Sequence, residues 1–203
     1  TRTYVFRLDY SNDSVTRVAN TPTPERYVTA GTGNSNYGYS GGGINPNASF
    51  STVERLDYSN DLTTASIKGS LSTQRVSFAA TGNSNFGYFS SGNPSPQLTI
   101  DRISYSNDLT TALVRGSLSQ TFGSHGATGN SNFGYFGGTS GYSNIERLNY
   151  SNDTAQASIR GNLSYTRRRL AATGNSNFGY FGGGDTSPAI SSVVSIIDRI
   201  DYS

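Results

Sequence analysis

The stretch Ala172 to Phe181, A-T-G-N-S-N-F-G-Y-F, returns at Ala80 to Phe89 and Ala127 to Phe136, and more loosely at Gly31 to Ser40. A second string keeps step with it: R-L-D-Y-S-N-D from Arg7 and Arg55, R-I-S-Y-S-N-D from Arg102, and R-L-N-Y-S-N-D from Arg147. A fifth copy starts at Arg199 and stops at Ser203. The five arginines stand 48, 47, 45 and 52 residues apart. At such periods each repeat is one supersecondary unit that buries its apolar face only against a neighbour. The chain is therefore expected to be a tandem array, read as a single repeat domain over 1–203. The repeats run approximately 1–48, 49–95, 96–140 and 141–193, with a partial fifth at 194–203.

Each repeat reads as four short strands. In the fourth, Leu170 to Thr173 is a strand of mostly small residues, Gly174-Asn175-Ser176-Asn177 a turn, and Phe178 to Phe181 a return strand with aromatics on both faces, ended by glycines. Asn144 to Tyr150 is a third strand, closed by a turn at Ser151-Asn152-Asp153, and Thr154 to Arg160 a fourth. No helical periodicity interrupts them. The low hydrophobic content, 33%, is offset by 24 glycines, 14 tyrosines and 10 phenylalanines, which suit short strands, tight turns and aromatic wedges. The fold class expected is all-β: four four-stranded antiparallel repeats plus a leftover strand over Val194 to Tyr202, about seventeen strands in all. A four-strand period of this length favours propeller blades over a solenoid. Sixteen strands would close four blades, so either the chain is a section of a longer ring or the leftover strand pairs with something outside the array.

The wording of the repeat resembles kelch: G-Y-F-G-G-G, a variable loop, N-I-E-R-L-N-Y-S-N-D-T, and an Arg ahead of the next small-residue strand. The double glycine falls at Gly41-Gly42, Gly137-Gly138 and Gly182-Gly183, with Ser90-Ser91 departing from it. The Arg falls at Arg26, Arg75 and Arg167, with Phe122 departing. Kelch blades carry a Trp that this chain lacks, and Tyr10, Tyr58, Tyr105 and Tyr150 are the candidates to supply that bulk. The resemblance implies a kelch-like β-propeller. The combination of Y-F-G-G-G with D-R-I-D-Y-S also resembles repeat-bearing virion structural proteins of bacteriophages, cyanophages in particular, which implies a particle component.

Charge and chemistry exclude more than they assign. Net charge is +2, with Lys68 the single lysine, and Arg167-Arg168-Arg169 reads as a solvated run, so no nucleic-acid partner is expected. No apolar run approaches the ~18 residues of a membrane span, and none reads as a signal peptide. The chain has no methionine and starts at Thr1 inside a repeat, as a processed product or part of a longer chain or assembly would. Without cysteine and with His125 as the one histidine, a copper oxidase site cannot be assembled. His125 reads as a packed or rim residue. Asp13, Asp61, Asp108 and Asp153 recur at one turn position and read as caps of that turn. The oxygens of Asp57 to Asp61 do not match a calcium loop. Catalytic residues should break the repeat's symmetry, and these obey it. No catalytic, cofactor-binding or metal residue is assigned, and no cofactor is expected. Asn12, Asn47, Asn152 and Asn162 lie in glycosylation sequons.

Recognition is expected in the loops that vary, Gly41 to Thr52, Ser90 to Thr99, Gly137 to Ser143 and Gly182 to Val193, and at the open edge. The leading expectation is a non-enzymatic structural or adhesive module of a virion or extracellular surface, binding protein (itself or other structural proteins) or glycan. One alternative is a cytoplasmic kelch-type adaptor; the other, a propeller enzyme, would lose turnover when His125 or Glu25 is changed.

Overall fold

The computed structural model describes residues 4–21, 24–92, 97–186 and 192–203. Seventeen strands succeed one another among them: β1 Tyr4–Asp9, β2 Ser14–Asn20, β3 Ala30–Gly33, β4 Tyr37–Gly41, β5 Val53–Asp57, β6 Ser66–Ile67, β7 Ala79–Gly82, β8 Phe86–Ser90, β9 Thr99–Ser104 and β10 Leu113–Ser117. They continue as β11 Gly126–Gly129, β12 Phe133–Thr139, β13 Tyr142–Asn149, β14 Ser158–Asn162, β15 Ala171–Gly174, β16 Phe178–Gly182 and β17 Ile197–Asp201. Single 3₁₀ turns follow β5 at Tyr58–Asn60 and β13 at Tyr150–Asn152. The molecule is all-β, a four-blade β-propeller arrangement.

Antiparallel sheets β3-β4-β5-β6, β7-β8-β9-β10 and β11-β12-β13-β14 form blades 1, 2 and 3. Blade 4 is the three-stranded sheet β15-β16-β17, and β1-β2 is a separate hairpin. The sheets are phased differently from the sequence periods. A blade joins the first two strands of one repeat to the last two of the next, because β4 pairs with β5 across the variable loop. The hairpin β1-β2 thus corresponds to the outer half of a blade, and among the described residues blade 4 has three strands.

Local chemistry sets each turn. Asn34 Oδ1 accepts from the backbone N–H groups of Asn36 and Tyr37 at 2.9 and 3.0 Å, and Asn83, Asn130 and Asn175 repeat this Asx turn. After the third strand the cap is Asp9, Asp57 or Asn149, whose side chains accept from the N–H two residues on. The glycine of F-G-Y-F is required by close approach: a methyl on Gly87 would lie 2.6 Å from Thr32 Cγ2 and 3.0 Å from Tyr105 Oη.

The core lies between blades, not within them. Tyr39 and Val53 of blade 1 cluster with Phe89, Ile103 and Tyr105 at blade 2. Tyr88 and Ile100 of blade 2 meet Phe136 and Leu148 of blade 3, and Tyr135 and Ile145 of blade 3 meet Phe181 and Tyr202 of blade 4. Each such aromatic, fully buried, contributes about 1.5–3 kcal/mol, so a blade is stable only with its neighbour in place.

Candidate functional site

Three places gather polar or cavity-forming residues: the joints between blades, the cavity on their common axis, and an open slot beside blade 1.

At the joint of blades 1 and 2, Asp108 accepts from Tyr39 Oη at 2.9 Å and from Arg55 at 2.7 Å, with Lys68 Nζ 3.6 Å away. The Tyr39 and Tyr105 rings stack at 4.8 Å, Thr32 Oγ1 lies 3.1 Å from Tyr105 Oη, and Asn34 donates to the Ser84 carbonyl at 3.2 Å. The joint of blades 2 and 3 repeats the set. Asp153 takes Tyr88 Oη at 3.0 Å and Arg102 at 2.7 Å, with Arg115 at 3.8 Å, and Tyr88 stacks on Tyr150 at 4.6 Å. Burial, reinforced by the carboxylates, raises the Tyr39 and Tyr88 hydroxyls above the ordinary tyrosine range. The joint of blades 3 and 4 keeps the stack, Tyr135 on Tyr202 at 4.6 Å, the Thr128 to Tyr202 contact at 2.8 Å and the Asn130 to Ser176 bond at 3.4 Å.

This corrects the reading of the repeated aspartates. Asp108 and Asp153 do not cap their turn; each clamps its blade to the preceding one, and Asp61 likewise holds Arg7 of the hairpin at 2.9 Å. The tyrosines at 105 and 150 do supply aromatic bulk between blades, whereas Tyr10 is 88% exposed.

A second carboxylate, one residue before the third-strand Arg, lies inside each blade, buried in blades 1, 2 and 3 and half-buried in blade 4. Arg26 pairs with Glu54 at 3.1 Å, Arg75 with Asp101 at 2.9 Å and Arg167 with Asp198 at 2.9 Å. The basic run 167–169 is therefore not solvated as a unit: Arg167 is buried, and Arg168 and Arg169 both reach Asp185 at 3.0 and 3.5 Å. In blade 3, where Phe122 replaces the Arg, Glu146 is fully buried and, among the described residues, accepts from Ser119 N and Oγ, both at 2.7 Å. Burial raises its carboxyl above the ordinary range. The sequence signal for this network is S-x-x-R at Ser72 to Arg75 and Ser164 to Arg167, answered by an acid ahead of the third-strand Arg.

The axial cavity, about 410 Å³, is lined from all four blades: Val28-Thr29, Ser77-Phe78, Ser124-His125 and Arg169-Leu170. The first member of every pair is a non-glycine residue at positive φ, 55°, 55°, 58° and 55°. Such conformations cost about 1–2 kcal/mol each. Three of them are linked by bonds around the axis, Ser124 N to Ser77 O and Arg169 N to Ser124 O, each 2.6 Å. His125 is packed as expected, between Phe122 and Phe136, and burial pushes it down to about 3. Ser90 Oγ, which bonds Ala79 O at 3.2 Å, lies 2.8 Å from His125 Nε2. Among the described residues Nδ1 has no partner, so no orienting acid of the kind a catalytic triad uses stands beside the pair there. Glu25 is exposed and lies apart from this cavity.

The slot, about 500 Å³, lies between the hairpin and blade 1 and is lined by Val5, Phe6, Gly38, Tyr39, Leu56 and Tyr58 among others. Of the variable loops, 42–52 is organised by bridges Tyr27 to Ile44 and Ile44 to Ser49. Gly137 to Ser143 is not a loop but strand ends around a tight turn, with Thr139 opposite Tyr142. The loops at Ser90 to Thr99 and Gly182 to Val193 lie partly outside the described residues.

Among the described residues no cluster of three His, Asp or Glu could hold a metal ion, and no helix is long and apolar enough to cross a membrane. Compared with known proteins, the chain matches no family model and no curated sequence.

Proposed function

We propose that the chain is a non-enzymatic structural interaction module, a kelch-like component of a virion or other extracellular surface that contacts protein or glycan through its loops and open edges. One observation carries this reading. The polar side chains that recur with the repeat are consumed in joints between and within blades, while the residues that break it, Ser90, Ser91, Phe122 and His125, are buried against one another or the backbone. The β-propeller fold itself favours a protein-interaction role. The kelch likeness rests on the aromatic strand, double glycine and third strand, which lie side by side in blades 1 and 4; the virion reading rests on the repeat's wording.

The test uses the purified chain against a panel of immobilised glycans and structural proteins, with ester, glycoside and peptide reporters alongside. Binding that is lost when the turn at 45–48 is rebuilt, but kept in His125→Phe, is expected. Reporter turnover abolished by His125→Phe or Glu25→Gln would overturn the reading.

A further inference from the structure

Two polar side chains in each repeat are exceptions to that consumption. The turn Gly-Asn-Ser-Asn is identical in all four copies, at 33–36, 82–85, 129–132 and 174–177. Its first Asn is structural throughout: the side-chain oxygen accepts from two backbone N–H groups. In blades 1, 2 and 3 its amide also donates to the Ser carbonyl of the next turn, at 3.2, 3.4 and 3.4 Å, which ties the turns into one row. The Ser and the second Asn serve the fold through their backbone alone. The Asn carbonyls accept from Tyr58, Tyr105, Tyr150 and Tyr202 N at 2.9 to 3.0 Å, and any residue offers such a carbonyl. Among the described residues no hydrogen bond reaches the side chains of Ser35, Asn36, Ser84, Asn85, Ser131, Asn132, Ser176 or Asn177. All are exposed, and none sits at positive φ.

The fold does not ask for these two residue types, yet they persist while their surroundings change. On the strand that follows, Tyr37 stands against Phe86 and Ser40 against Phe89; in the core, Arg75 stands against Phe122 and Ser90 against Gly137. Copying alone would have kept all of these alike. Beside the pairs the joints leave recesses. Between blades 2 and 3 the recess measures about 370 Å³, with Ser131, Asn132, Phe133 and Tyr150 among its walls. Between blades 3 and 4 the counterparts Ser176, Asn177, Phe178 and Tyr202 line one of about 390 Å³. Both lie within the ~300–1,000 Å³ of small-ligand pockets. Ser84, Asn85, Phe86 and Tyr105 take the same places at the joint of blades 1 and 2.

We infer that the row of Ser-Asn pairs binds a neutral, repeating glycan, one sugar unit at each joint. A hydroxyl and a carboxamide donate and accept at once, as sugar hydroxyls do, and the half-buried Phe133 and Phe178 rings offer the apolar wall that a pyranose face packs against. Neither recess has a cation in its wall, so an anionic polymer finds no counter-charge there. A protein partner fits less well, because protein interfaces centre on Trp, Tyr and Arg anchors and are poor in Ser. Like sites on one row bind weakly one by one and avidly together, since linked binding events gain about 10²–10⁴ without new contacts. The inference rests on the interaction-module reading. It names a ligand class and adds a contact face, at the other end of β4, β8, β12 and β16 from the variable loops.

The test passes the purified chain over immobilised dextran, mannan, galactan and β-glucan, with dextran sulfate as the charged control. The wild type should be retained on at least one neutral polysaccharide, and salt should not release it. Changing three turns together, by Ser84→Ala, Asn85→Ala, Ser131→Ala, Asn132→Ala, Ser176→Ala and Asn177→Ala, should lower the apparent affinity at least about tenfold. The urea unfolding midpoint should stay where it is, and restoring one turn should recover part of the binding. Equal retention of the combined variant and the wild type, no retention on any neutral polysaccharide, or retention on dextran sulfate alone would overturn the inference. A lowered unfolding midpoint would make the pairs structural and overturn it too. Binding lost on rebuilding 45–48 but kept in the combined variant overturns this inference and leaves the interaction-module reading standing. Reporter turnover that depends on His125 overturns that reading, whatever the turns bind.

Discussion

Blades 2 and 3 bury the same carboxylate by different means. In blade 2, Asp101 is fully buried and held by Ser72 N and Oγ and by Arg75, itself fully buried. Arg75 spends its other donors on Ser91 O, Thr99 O and Thr99 Oγ1. In blade 3 a ring stands in the arginine's place, Glu146 keeps the serine alone, and the change is concerted across the joint. Ser91 Oγ bonds Phe122 O at 2.8 Å and lies 3.0 Å from Phe122 N, and Ser90 meets His125. A repeated blade therefore tolerates loss of its internal ion pair when the acid can hold a proton and its neighbours repack together. Removal of the arginine alone from blade 2, with its neighbours unchanged, is expected to be costly.

The largest effect should come from breaking blade 2 on one side only. Arg75→Leu leaves Asp101 buried without its cation and should cost about 3–5 kcal/mol, as breaking buried pairs does, read from urea or guanidinium unfolding at neutral pH. A loss below about 1 kcal/mol would mean the pair is no more than a surface-like contact.

How much of this could be read from the chain alone differs between elements. The hairpins at Ala80 to Phe89 and Ala127 to Phe136 were legible because alternation, Asx turns and glycines are local signals. The blade boundary was not: a periodic sequence fixes the length of the repeat but not its origin, and only the pairing of β4 with β5 sets the phase. Asp108 and Asp153 sit in S-N-D, which reads locally as a turn, but their partners Arg55 and Arg102 are 53 and 51 residues away. One full period separates cause from contact. The 167–169 run was misread for the same reason, since Asp198 and Asp185 lie on other segments.

A smaller effect sharpens the comparison from the side of blade 3. Because burial raises the Glu146 pKa, the folded state binds its proton more tightly than the unfolded chain. The stability this contributes is full below the unfolded value, about 4.3, and is lost as pH rises through the raised folded value. Glu146→Gln should remove that decline and change stability at pH 4 by no more than about 1 kcal/mol. An unaltered pH profile would show that Ser119 alone keeps the carboxylate charged.

The central claim is that the repeated S-N-D aspartate is a clamp between blades. Matched unfolding of Asp153→Asn and Asp13→Asn tests it directly. The two positions share the same local sequence, but Asp153 holds Tyr88, Arg102 and Arg115, whereas no cation among the described residues reaches Asp13. Asp153→Asn is predicted to cost about 1.5–3 kcal/mol, as loss of hydrogen bonds to a charged group does, with Asp13→Asn unchanged. Equal losses at both positions would make the aspartate a local turn former and contradict the account.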